Sequence, residues 1–201
     1  MLIERLGAKR VSVGENFRFG ARAKGDVAML RARSEFQARQ VSLVEVDGET
    51  VSSTRVRALI SAGEMEAAMS CLGAPFMLQG EVVAGDRRGR ELGFPTANVV
   101  PDDELVPPGH GVYAAVANGR PAAVSVGVRP TFETGRGLLV EAFLLDYEGD
   151  LYGQELRIAF IKRLRGERRF SSVEELVAKM HEDVERAREV CGAFAGSELS
   201  S

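Results

Sequence analysis

The chain has 201 residues, 45% of them hydrophobic and 27% charged, with a formal net charge of −3. This is the composition of an ordinary globular protein with room for one or two cores, and it carries no general attraction for nucleic acid or acidic membrane. No apolar run reaches membrane-span length, and the mixed, charged start (residues 1–10) is unlike a secretory signal.

Residues 2–8 read as the end of a helix and residues 9–13 as a strand stopped by Gly14. A glycine-bounded loop, Gly14-Glu15-Asn16-Phe17-Arg18-Phe19-Gly20, follows, then a helix over 26–38 and a strand over 41–46. That order belongs to an α/β layer with a parallel sheet. The chain opens on what reads as a central strand, so the expectation is the C-terminal part of an α/β domain whose first half is missing. Ser52-Ser53-Thr54 precedes a helical run with apolar Val56, Leu59 and Ile60, and a hydroxyl there can cap the first turn. Gly63 ends that helix, and a second short one stops at Gly73. Gly73-Ala74-Pro75 is taken as the domain boundary, giving an incomplete α/β domain over 1–74.

After Pro75 the texture is that of strands. Residues 76–84 form one, and 112–117 and 122–128 form a hairpin around Asn118-Gly119, a strong short turn signal. Residues 138–145 and 156–164, around Glu148-Gly149-Asp150, read as a further strand pair. Strands at this density indicate a small antiparallel barrel. Ser171-Ser172-Val173-Glu174-Glu175 fits a capping box, and Val173, Leu176, Val177, Met180 and Val184 share one helical face that would pack on the barrel. A second domain thus runs over 75–191, and the small, polar stretch 192–201 is expected to be disordered. The fold class is α+β. Cys71 and Cys191 lie in apolar-periodic stretches and read as reduced packing residues of a cytoplasmic protein; with His110 and His181 they match no standard zinc spacing.

Chemistry concentrates in three places. The stretch from Gly80 to Gly93 includes Gly85, Gly89, Arg87, Arg88 and Arg90. Glycines let backbone amides approach a phosphate, although the same run also reads as a hairpin turn with solvated charges. In Phe94-Pro95-Thr96-Ala97-Asn98, Pro95 fixes the entry angle, and Thr96 and Asn98 point the same way on an extended segment. Their oxygens suit a hydrated Mg²⁺ that also takes phosphate oxygens, or equally a turn bonded to its own backbone. Glu141 stands in a strand apolar on both faces. A carboxylate there needs a partner, such as Arg129, or serves as a general base of raised pKa.

Together these residues resemble the riboflavin kinase family. The shared elements are the turn from Gly80, Gly93-Phe94-Pro95-Thr96-Ala97-Asn98, Gly109-His110-Gly111-Val112-Tyr113, Gly127-Val128-Arg129-Pro130-Thr131-Phe132, Val140-Glu141-Ala142 with Asp146 and Tyr152-Gly153, and Leu164-Arg165 with Phe170. They occur in family order over about residues 76–190, with Ser125 standing where the family more often has Asn. The resemblance implies a six-stranded barrel with a C-terminal helix, binding ATP and riboflavin on opposite sides of a tunnel and yielding FMN. It implies ATP contacts at Gly80, Gly85, Arg87, Gly89, Gly93, Pro95, Thr96 and Asn98. It further implies Mg²⁺ at Thr96 and Asn98, Glu141 as the base, and flavin contacts at Arg165 and Phe170.

The front half resembles the C-terminal motifs of the FAD synthetase (FMN adenylyltransferase) module, a Rossmann-like nucleotidyltransferase fused ahead of the kinase in bifunctional enzymes. The matching residues are the loop bearing Asn16, then Gly25-Asp26 and Ser52-Ser53-Thr54-Arg55-Val56-Arg57. Ser52, Ser53, Thr54 and Arg55 would hold ATP phosphates. The module's histidine-containing ATP motif has no counterpart, so the nucleotide site is expected to be incomplete and FAD synthesis is not expected of this chain alone; a partner supplying the other half is one expectation. Two further readings stay open: a barrel that binds flavin or nucleotide without turnover, and a nucleic-acid barrel using Arg87, Arg88 and Arg90. The latter is disfavoured because the chain has no Trp and three Tyr for base stacking.

Overall fold

The structure is a computed structural model that describes residues 3–85, 89, 92–101, 105–128 and 138–198. Arg87, Arg88, Arg90 and the Arg129-Pro130-Thr131-Phe132 element lie outside the described residues. The chain divides into two compact units, Met1–Val51 and Ser52–Ser201.

In the first unit, Gly7 N donates to Ile3 O, closing a single helical turn where a helix end is expected. Strand β1 (Arg10–Gly14) pairs in parallel with β2 (Gln37–Val41), from Arg10↔Gln37 to Gly14↔Val41. Between them lie a 3₁₀ turn (Ala21–Ala23) and helix α1 (Val27–Arg31), whose N-cap Asp26 accepts from Met29 N. A two-stranded ribbon, β3 (Glu45–Val46) with β4 (Glu49–Thr50), completes the unit. The helix expected to reach residue 38 stops at Arg31, and the strand expected at 41–46 begins at Gln37. Phe36 is buried and Gln37 N bonds Lys9 O, so pairing with β1 overrides local helix preference.

In the second unit, helices α2 (Ser53–Ala62) and α3 (Met65–Leu72) precede a closed barrel. Its strands are β5 (Phe76–Val83), β6 (Ala97–Pro101), β7 (Gly111–Ala117), β8 (Arg120–Val128), β9 (Leu138–Leu144) and β10 (Glu155–Arg165). Around the barrel the order is β10-β5-β6-β9-β8-β7, with every pairing antiparallel. Alternation sends Leu78, Val82, Val99, Val124, Val126, Val140, Leu156, Ile158 and Phe160 into one apolar core. Asn118 and Gly119 both take positive φ, 46° and 80°, as the two-residue turn between β7 and β8 requires.

Two expectations are corrected here. β9 and β10 are consecutive in sequence but are not neighbours, because β9 lies between β6 and β8 and β10 between β5 and β7. Their connection therefore crosses a barrel mouth instead of turning a hairpin. Gly153 N donates to Val82 O and Val82 N to Gln154 O, fastening it to the end of β5. The boundary at Gly73-Ala74-Pro75 is also displaced. Ile60, Met65 and Ala68 of α2 and α3 are buried in the barrel's own core. The two helices close the mouth opposite the β9–β10 connection, with Gly109 N donating to Ile60 O and Lys162 Nζ 2.8 Å from Glu66 Oε1.

Helix α4 (Val173–Glu198) lies across the outer faces of β7, β8 and β10, where Ala187 and Cys191 pack with Ala114, Ile161 and Leu164. It continues through Gly192 to Glu198, past the point where disorder is expected, and Phe194 extends the same apolar contact. The small residues of this stretch are compatible with helix once one turn is anchored.

Candidate active site

The site is built on the outer barrel surface. Asn98 of β6 pairs with Val83 of β5 on one side and with Glu141 of β9 on the other, and Glu141 pairs with Ser125 of β8. Directly opposed residues in antiparallel strands share a face. Asn98, Glu141 and Ser125 thus form one row pointing outward, while their neighbours Ala97, Ala142 and Val124 point into the core.

Gly85, in the glycine-rich segment, lies over this row. A Cβ placed on Gly85 would stand 2.1 Å from Asn98 Nδ2, so the backbone at Gly85 rests directly on the amide. Asn98 is accordingly only 7% exposed. A Cβ on Gly89 would stand 3.2 Å from Thr96 Oγ1 and 2.4 Å from Phe94 O, and Phe94 N donates to Gly89 O. Gly85 and Gly89 themselves therefore lie close against Asn98 and Thr96. Gly93 turns the chain with φ 89°. Gly80 has a different explanation. It lies within β5, where a Cβ would meet Val100 O at 2.0 Å, so its bare backbone serves close strand approach.

Pro95 and Thr96 also border a pocket of about 500 Å³ at the mouth crossed by the β9–β10 connection. Its lining adds Val82, Ala97, Ala142 and Leu144 from the barrel to Tyr147, Glu148, Asp150, Leu151 and Tyr152 from the connection. Arg120 packs over the ring of Tyr147, 5.3 Å from its centre. Arg188 of α4 pairs with Asp146 at the start of the same connection, through both carboxylate oxygens. That pair holds the Asp146 carboxyl below its ordinary range, chiefly through the Arg188 hydrogen bond. Sequence reasoning missed this pocket, although Glu148-Gly149-Asp150 and Tyr152-Gly153 were visible as a turn and a motif.

The flank of the row is formed by α4 and the β10–α4 connection. Phe94 packs edge-on against Phe143 and against His181 of α4. At the other end, a Cβ on Gly127 would stand 2.9 Å from Glu167 Oε1, which places that carboxylate over the outer face of β8. Arg165 is salt-bridged to the buried Asp183 and its guanidinium packs against Phe170, as does that of Arg168. The start of α4 is capped as expected, with Glu175 N donating to Ser172 Oγ and Ser171 Oγ to Glu175.

The structure pairs Asn98 with Glu141 across β6 and β9, with Gly85 against Asn98 and Gly89 against Thr96. Arg165 and Phe170 stand with the β10–α4 connection, and Arg87 lies outside the described residues. In the front half, Asn16 belongs to the first unit, where a Cβ on Gly14 would stand 3.2 Å from its Oδ1. Ser52, Ser53, Thr54 and Arg55 begin α2 in the second unit, and Ser52 Oγ is engaged by Arg55 N as the helix cap. Among the described residues no helix is long and apolar enough to cross a membrane.

The FAD synthetase family profile matches residues 1–55. The bifunctional riboflavin kinase/FMN adenylyltransferase of Escherichia coli (strain K12) is 38% identical over 200 residues, covering 96% of this chain and 63% of the relative. That of Pseudomonas fluorescens is 36% identical over 202 residues, covering 97% of this chain and 65% of the relative. The chain thus spans under two thirds of the length of these curated relatives. A crystal structure described as a macrolide-efflux protein from Streptococcus pneumoniae superposes with a TM-score of 0.79 at 32% identity, over 87% of this chain and 58% of that one. The riboflavin kinase family profile matches residues 72–191, the barrel together with most of α4, and the chain belongs to the riboflavin kinase family.

Proposed function

We propose that the barrel is a riboflavin kinase that transfers the γ-phosphate of ATP to the terminal ribityl hydroxyl of riboflavin, giving FMN and ADP. The observation that carries this reading is the cross-strand pairing of Asn98 with Glu141 beneath the backbone of Gly85. A carboxylate beside a phosphate cradle is the arrangement needed to take a proton from an attacking hydroxyl.

In this reading the triphosphate lies along Gly85, Gly89 and Thr96, with the nucleoside end in the adjoining mouth pocket. Thr96 and Asn98 present neutral oxygen donors, and among the described residues no group of three or more His, Cys, Asp or Glu forms a metal cluster. That set fits Mg²⁺ arriving on phosphate oxygens. The ion supplies charge neutralisation on the phosphates when bound. Riboflavin occupies the flank formed by α4 and residues 166–172, including Phe170, with its ribityl end toward Glu141. The hydroxyl oxygen bonds to the γ-phosphorus, the bond from that phosphorus to the β–γ bridging oxygen breaks, ADP leaves, and Glu141 holds the released proton. Both cysteines are free thiols, which fits a cytoplasmic enzyme using ATP. FAD synthesis by these 201 residues alone is not proposed, because the sequence contains no His-x-x-His element.

An end-point assay with riboflavin and Mg·ATP, resolving riboflavin, FMN and FAD, tests the proposal. FMN without FAD is the expected product, and flavin bound but unconverted would instead favour a binding barrel. Glu141→Gln is expected to lower kcat about 100-fold or more while leaving ATP affinity near wild type. Normal turnover in that variant would remove Glu141 from the chemistry.

A further inference from the structure

Asp183 is not part of any motif above, yet it is among the most buried charged residues described, at 3% exposure. Arg165 Nε and Nη2 each stand 2.8 Å from the same oxygen, Asp183 Oδ2. Arg165 Nη1 donates to Gly166 O at 3.2 Å, and the guanidinium carbon lies 5.6 Å from the centre of the Phe170 ring. Among the described residues, Asp183 Oδ1 has no hydrogen-bond partner.

This is not the geometry of a pair built for stability. Desolvating two charges is costly, and the best return comes when both carboxylate oxygens meet the fork. Here one oxygen takes both contacts and the other is left over. The position of the guanidinium is instead explained by what else it touches. One side lies on Asp183, one corner holds the carbonyl at the start of residues 166–170, and the side chain at their end packs against it. Both ends of this short strap are thus tied to a single half-buried guanidinium. Midway along it, Glu167 reaches over Gly127, on the same outer face as Ser125 and Glu141.

We infer that Asp183 is a positioning residue for the acceptor substrate. It fixes Arg165, and through Arg165 it fixes the strap that walls the acceptor side. Arg165 then works from behind Phe170 and does not itself hold the flavin. The inference rests on the kinase reading, and it adds Asp183 to the residues on which riboflavin binding depends.

The test uses the full chain and four readouts: riboflavin binding by quenching of flavin fluorescence, KM for riboflavin, KM for ATP, and Tm. In Asp183→Asn the Kd and KM for riboflavin are expected to rise about tenfold, with KM for ATP and kcat within about twofold, and Asp183→Glu is expected to restore part of the loss. Arg165→Lys keeps a cation opposite Asp183 but removes the planar fork, so it should fold and show the same pattern. The inference is overturned if kcat and Tm fall together while both KM values stay put. It is equally overturned if Arg165→Lys abolishes riboflavin binding while Asp183→Asn leaves it intact, since Arg165 would then be a direct contact. Absence of FMN formation by the wild-type chain sinks the kinase reading instead, and the fluorescence titration still reads the role of Asp183.

Discussion

At the scale of single residues, the site depends on the absence of a side chain as much as on those present. The backbone at Gly85 lies where a methyl group would collide with the Asn98 amide. Gly85→Ala should therefore swing Asn98 away from its place beside Glu141 and weaken binding of Mg·ADP about tenfold, with Tm changed by only a few degrees, as isothermal titration and thermal melting would show. The pair Asn98–Glu141 was half legible in the sequence. A lone acid in an apolar strand and an oxygen-bearing threonine and asparagine two apart stand out in the sequence. That they meet depends on the register of β6 against β9, whose residues lie more than forty positions apart, and nothing local encodes it. The pairing of Arg165 was not legible, because its partner Asp183 lies in another element.

At the scale of elements, α4 links the parts of the site. It carries Asp183 for the strap, His181 against Phe94, and Arg188 for the connection that lines the pocket. Besides its apolar packing on the barrel, it makes polar and ionic contacts that share a direction of pH response. Glu175 is held below its ordinary value of 4.5, first by the Ser171 N–H and then by the Ser171 hydroxyl. Glu182 is lowered by Lys179, and Asp146 by Arg188. A carboxylate with a depressed pKa in the folded state contributes stability above its unfolded pKa and loses it as pH falls through the folded value. Melting temperature should accordingly hold steady near neutrality and decline below about pH 5. Glu175→Gln should melt lower at pH 7 yet decline less steeply on acidification, and parallel curves for the two proteins would show that this carboxylate is not responsible. The helix start was readable from Ser172 and Glu175 because capping is a local affair. The β9–β10 connection was misread because Glu148-Gly149-Asp150 has turn chemistry, whereas whether a turn joins neighbouring strands is decided by barrel closure.

At the scale of the whole molecule, a small antiparallel barrel was legible from strand density and turn residues, but the order of its strands and the division of the chain were not. Gly73 does end a helix, with φ 74°, and Pro75 does follow, so the punctuation at that point is real. Punctuation marks where an element stops, and packing decides to which core it belongs. Ile60, Met65 and Ala68 are 4%, 1% and 0% exposed within the barrel core, and α2 is further tied through Ile60 O to Gly109. Removing one large buried side chain of this kind costs about 2–5 kcal/mol, against a total stability of about 5–15 kcal/mol for a domain. A chain shortened to begin at Pro75 would lose all three contacts at once and leave the closed mouth of the barrel open to water. It should aggregate or unfold without a cooperative urea transition. A chain beginning at Ser52 keeps the helices and should unfold cooperatively at a urea midpoint close to that of the barrel in the full chain. If the shorter chain proved as stable as the longer one, α2 and α3 would be ornaments on the barrel, and the limit of the kinase unit would return to Gly73-Ala74-Pro75.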